Sequence, residues 1–245
     1  MNSTRKIGLL LALVFLLPAL FFSVYEISSL NKDEKMIQEI YSKQLEAILF
    51  SVNQYSDDIL NSWISKIETH IQGPTVKDSI PVGIKELLTF NTSIISVFSY
   101  DTIQGEPAHR IFCLEDTVSN LLANVESSLL LNKDKIKQLI EYKKNGFRKM
   151  EALKLSGNRD ILIFITEGSS KIHLAGLVID PEIFISDLVG PRLQTIAKDQ
   201  FVLSAFKKGV AVPVYSTFSG DTTRLVAEAL TKSFWLFPEI GRAHV

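Results

Sequence analysis

One cysteine, Cys113, stands in 245 residues, so no intrachain disulfide framework can staple the fold. That scarcity is compatible with a reducing or an oxidising compartment and decides neither. No stripe of Lys and Arg interleaved with aromatic residues occurs, which removes the electrostatic footprint of a nucleic-acid surface. There is no GxGxxG or GxxxxGK[ST] run to cradle phosphate, no GxSxG elbow for a serine nucleophile, and no His/Cys/carboxylate group at metal-ligand spacing. The four histidines, His70, His109, His173 and His244, are scattered. No catalytic motif and no metal site is therefore expected in this chain.

What is present is ordinary for a folded protein: 46% apolar and 22% charged residues. Net charge is −1 overall. Without Arg5, Lys6 and Arg242, 23 basic residues face 27 acidic ones and the body carries about −4. The length suits one or two domains with a real core.

Charge is missing from one place altogether. Residues 7–25, IGLLLALVFLLPALFFSVY, contain no ionisable acid or base except Tyr25. Nineteen residues at ~1.5 Å each reach roughly 28 Å, close to the hydrocarbon thickness of a bilayer. Arg5 and Lys6 precede the run and Glu26 follows it, so residues 1–6 are expected in the cytoplasm and residue 26 onward across the membrane. A cleaved signal peptide is the alternative. It would carry a shorter apolar core and a small-x-small site, and ALFFSVYEISS after Pro18 offers no good one.

Glycine and proline are absent from residues 31–72. Ile37, Tyr41, Leu45, Ile48, Val52, Tyr55, Ile59, Trp63, Ile67 and Ile71 step by three or four, which predicts one membrane-proximal helix over 26–73. Two shorter helices with a break in the polar stretch 51–58 remain the alternative. Gly73-Pro74 ends the pattern.

Beyond Pro81, short apolar runs alternate with turn signals. SIISVFSY (93–100) and RIFCL (110–114) bracket DTIQGEP and predict a hairpin. Helical spacing returns over 116–144 and stops at Asn145-Gly146. Runs at 147–155, 160–167 and 172–180 read as an antiparallel meander. Asp180-Pro181 opens a helix with an N-cap and a first-turn proline; it extends to Ala197, with a possible break at Gly190-Pro191. A last hairpin spans 201–206 and 212–217. The fold class expected is α+β: an N-terminal transmembrane helix and a long stalk helix, then an antiparallel sheet with helices on one face.

At this point the chain resembles a family. HLAGLVIDPEIFISDLVGPRLQTIAKDQFVLSAFKKGVAVPVYST, following a long membrane-proximal helix, is similar to the extracytoplasmic Cache-type, PAS-like sensor region of bacterial sensor histidine kinases. The resemblance implies a periplasmic sensor domain over 74–238 of a two-component system in the bacterial inner membrane, reading a small-molecule or protein signal, as a homodimer in contact with the lipid bilayer. FWLFP (234–238) would be the strand leading back to the membrane. No histidine has the context of a phospho-accepting one. No cofactor is therefore expected here, ATP and Mg belonging only to a kinase domain outside the chain. A chemoreceptor or cyclase sensor, and a membrane-anchored binding or scaffold protein without enzymatic output, are the alternatives.

The last seven residues, EIGRAHV, spell the translation of a common sequencing-library adapter up to its stop codon. Residues 239–245 are accordingly expected to be foreign, with the natural sequence cut at Pro238. For a small ligand, Tyr100, Arg110, Arg148 and His173 are the polar residues at or near strand positions that qualify as binding residues on an apolar wall. The competing reading makes the arginines solvated edge residues.

Overall fold

The computed structural model describes residues 3–71, 80–101, 108–114, 118–155, 157–167, 172–197, 201–207, 210 and 212–218. FWLFP, His244 and the adapter-like tail lie outside them. The chain divides into two units, Met1–Leu49 and Phe50–Val245.

The first unit is helical throughout its described length, as the beginning of α1 (Ser3–Ile71). All described side chains from 13 to 40 are exposed, including Phe15, Leu16, Phe21 and Phe22. Among the described residues, α1 is the one helix long and apolar enough to cross a membrane. The hydroxyl of Ser23 donates to the Ala19 carbonyl at 2.9 Å, so it carries its own partner within the apolar stretch.

In the second unit α1 continues unbroken. The polar stretch 51–58 does not interrupt it, because it holds no Gly or Pro and two of its polar side chains bond along the helix. Ser56 donates to the Val52 carbonyl at 3.0 Å and Gln54 to Asp58 at 3.1 Å. Val52, Ser56, Leu60, Trp63, Ile64 and Ile67 form one buried stripe at helical spacing.

A short helix, α2 (Val82–Phe90), comes next, burying Ile84, Leu87 and Leu88. Strands β1 (Ile94–Asp101) and β2 (Ala108–Cys113) form the expected hairpin. The helical region that follows is two helices, α3 (Val118–Leu131) and α4 (Lys133–Lys144). Asn132 separates them, its amide donating to the Ser128 carbonyl at 2.8 Å in competition with the helical ladder. Gly146, at φ 80°, ends α4 in the left-handed region that only glycine enters cheaply. Strands β3 (Met150–Lys154), β4 (Asp160–Glu167) and β5 (Ile172–Ile179) make the meander, with Gly157 at φ 87° in the first turn. β5 then pairs with β1, giving one antiparallel sheet in the order β2-β1-β5-β4-β3.

Both faces of this sheet are buried, and α3 and α4 pack on one of them. On the first face Phe98, Ile161, Ile163, Ile165, Leu174 and Val178 pack with Leu121, Val125 and Leu129 of α3 and Leu139 of α4. The opposite face, with Val97, Leu162, Phe164, Ala175 and Leu177, is equally buried, and none of these residues belongs to the first cluster. The stripe of α1, Ile84, Leu87 and Leu88 of α2, and Phe184, Ile185 and Val189 after β5 are likewise buried outside the first cluster. Both sides of β4 and β5 are therefore apolar, and these strands read as nearly continuous hydrophobic runs.

After β5, Asp180 accepts from the Glu182 and Ile183 amides at 2.9 and 3.2 Å, with Pro181 in the first turn. The helix is α5 (Pro181–Phe184), a π-helical turn (Ile185–Val189) and α6 (Gly190–Ala197). It does not break at Gly190-Pro191; the irregularity lies one turn earlier. The apolar positions explain it. Ile185, Val189, Leu193 and Ala197 are buried at intervals of four, which in an ideal α-helix drift about 40° per step and about 120° in all. One wide turn holds an extra residue and takes back about 100°, returning the later positions to the core. The short strands β6 (Ser204–Phe206) and β7 (Pro213–Ser216) pair as a separate hairpin.

Candidate functional site

The ladders place three of the four candidate residues, Tyr100, Arg110 and His173. Phe98 lies opposite Ile111, and Ser99 opposite Arg110. Alternation along each strand then puts Tyr100 on the α3/α4 face, and Arg110 and His173 on the opposite face. The sheet itself stands between them, so a single cavity does not gather all four.

Tyr100 is half-buried against the α3/α4 cluster. Its hydroxyl donates to Glu126 of α3 at 3.0 Å. Burial, then the hydrogen bond to Glu126 and its charge, push the phenol up to about 12. Tyr100 is thereby a tether between sheet and helix, one that stays protonated at any physiological pH.

Arg148 corrects the sequence expectation of a strand from residue 147. β3 begins at Met150, and Arg148 precedes it. Its guanidinium reaches α1, 2.8 Å from Glu68 and 3.2 Å from the Ser65 hydroxyl. The partner lies 80 positions away, which no local pattern reveals. Arg148 ties the far end of α1 to the start of β3.

Arg110 is exposed on the edge strand β2, and His173 is half-buried in β5, across from Thr166 of β4 and Asp101 of β1. Thr166 is buried, with its hydroxyl pressed against the protein interior. His173 and Thr166 make one end of this face polar, where the rest of it on β4 and β5, through Phe164, Leu162, Ala175 and Leu177, is apolar. Cys113 is half-buried on the α3/α4 face, and burial pushes its thiol up, away from the reactive thiolate. Among the described residues no group of three His, Cys, Asp or Glu lies together as metal ligands would.

A junction that sequence reading missed joins α1 to the helix after β5. Trp63 meets Phe184 edge-on, ring centroids 5.7 Å apart at 79°. The Arg192 guanidinium lies 5.6 Å from the centre of the Tyr55 ring. Asp187 accepts from Thr92 at 3.3 Å, and Glu182 receives Lys207 and Asn158. The separations in sequence hide each of these contacts, although Trp63 and Tyr55 were legible as positions on the packing face.

Comparison with protein-family models, with curated proteins and with solved structures returned no match. The functional reading therefore rests on the residues and the geometry.

Proposed function

We propose that the chain is the signal-sensing input module of a membrane-bound bacterial sensor histidine kinase, with a Cache-type, PAS-like sensor domain. The observation that carries the reading is one helix with two roles. Its first part is long and apolar enough to cross a bilayer, and its last part is built into an antiparallel sheet domain. Arg5 and Lys6 ahead of the apolar run support a cytoplasmic N-terminus and a periplasmic sheet. The kinase assignment rests on the resemblance of residues 173–217, and ATP and Mg belong to a transmitter domain outside this chain. The module works as a homodimer and reads a small molecule or a protein. For a small anionic signal, Arg110 and His173 are the candidates that share a face of the sheet, Tyr100 lying on the other face and Arg148 ahead of β3.

The test has two parts. A periplasm-dependent reporter fused after Pro238 is expected to be active, with the product retained in membranes at high salt. A soluble, shortened product sinks the anchor. Reading the gene past the codon for Pro238 is expected to show a second apolar span of ~20 residues and then a helix with a phospho-accepting histidine. A stop codon there sinks the kinase and favours a membrane-anchored scaffold.

A further inference from the structure

The π-helical turn Ile185–Val189 sits between two contacts to the same helix. Phe184, just before it, meets Trp63 of α1, and Arg192, just after it, lies over Tyr55 of α1. The turn closes with the Gly190 amide donating to the Ile185 carbonyl, five residues back. Gly190 is also where the helix touches the β6–β7 hairpin. The Tyr215 ring lies so close that a Cβ at 190 would come within 2.5 Å of it. One short segment thus touches α1 on either side of its wide turn and the C-terminal hairpin at its end.

A wide turn is an α-helix holding one residue too many. That extra residue can pass along the helix, and each residue it passes is rotated by about 100° while the helix stays continuous. The backbone cost of the wide geometry is similar at neighbouring positions, so the packing of the fully buried Ile185 and Val189 sets where it rests. Loss or displacement of the Trp63 contact alters the load at Phe184, the first residue of the sequence that must move. Gly190, the last, is the one whose place is fitted to Tyr215.

We propose that Ile185–Val189 is a conformational relay, in which movement of α1 around Trp63 shifts the wide turn and changes the seat of Tyr215 on Gly190. The β6–β7 hairpin then registers what α1 does. The inference deepens the signalling reading and rests on it for its purpose. The relay itself is a property of the fold, and the experiments read it without any signal or kinase output, so its failure and the failure of that reading are distinguishable.

The first experiment is amide hydrogen exchange on the full chain in lipid nanodiscs. Trp63→Ala is expected to speed exchange of the 214–216 amides about tenfold. Deleting Asp187 removes the extra residue, turns the wide turn into an α-turn and leaves later residues in place. In that background Trp63→Ala is expected to leave 214–216 unchanged. Equal acceleration in both backgrounds means general destabilisation and overturns the relay, as does no acceleration in the first.

The second experiment keeps the chain length. Coupling is reciprocal, so Gly190→Ala, which wedges a methyl group against Tyr215, is expected to shift the emission of Trp63. This is recorded in a Trp235→Phe background. An unchanged Trp63 spectrum overturns the proposal, whether or not the deletion variant folds.

Discussion

The ring of Phe98 lies across the backbone of Gly176, the residue directly opposite it in the β1–β5 ladder. Glycine in a central strand forfeits side-chain packing, and here the neighbouring aromatic fills the space. A Cβ at 176 would run into that ring and approach the Leu162 carbonyl at 2.6 Å. Gly176→Ala is expected to cost about 1–3 kcal/mol in urea unfolding of the full chain in detergent. Phe98→Leu in the same chain is expected to restore only part of it, because the Leu162 carbonyl is backbone and cannot step aside.

Tyr100 gives the protein a dependence on alkaline pH. Its phenol stands at about 12 when folded against the ordinary 10, raised by burial and then by Glu126. The folded state keeps a proton that the unfolded state gives up. This contribution is therefore whole below pH 10 and is lost as pH rises from 10 to about 12. Tyr100→Phe is expected to flatten that part of the stability–pH curve and to cost about 1 kcal/mol at neutral pH. An unchanged alkaline limb in the variant would show that another group sets it.

The Arg148–Glu68 pair is partly exposed, at 41% and 23% of the side-chain surfaces. Screening by solvent keeps its worth small. A double-mutant cycle with Arg148→Ala and Glu68→Ala is expected to return a coupling of about 0.5–1 kcal/mol. That coupling should shrink in high salt. A value near zero would mean that the contact orders the end of α1 without stabilising the domain.

Asp180 holds two amides at the start of α5 while its own amide donates to the Ser93 carbonyl at 2.9 Å. Asp180→Ala is expected to cost about 1 kcal/mol, and Asp180→Asn much less, since an amide oxygen caps nearly as well. Equal losses in thermal unfolding would point to the charge, not the cap.

Legibility followed punctuation. β4 was readable to its last residue because Gly157-Asn158 stands before it and Gly168-Ser169-Ser170 after it. The cap at Asp180-Pro181 was equally plain. α2 was missed because nine residues after a proline, with Gly83 inside, are too few to establish a period. The break at Asn132 was missed because it needs neither Gly nor Pro, only an amide that bonds backward. The candidate site suffered from a different blindness. Parity within β1 or β5 can be read from sequence, but the register between them cannot. Tyr100 and His173 are one register position from being direct partners, and that single step puts them on opposite faces. Arg148 was readable as a charged residue near a strand, and its partner on α1 was not.

The strand order has a consequence in time. Three of the four ladders in the large sheet join strands that follow one another in the chain, β1 to β2, β3 to β4 and β4 to β5. The fourth joins Ile94 to Ile179, across 85 positions (179 − 94). As synthesis proceeds, the β1–β2 hairpin is complete long before β5 exists. Until then β1 presents a bare row of amides and carbonyls along one edge, on a strand with an apolar residue, Val97 or Phe98, on each face. Closing so long a loop is slow beside forming a hairpin. The nascent chain therefore passes through an interval in which its first hairpin is sticky and unprotected, and a ribosome that stalls before residue 172 releases a product prepared to pair with its own copies.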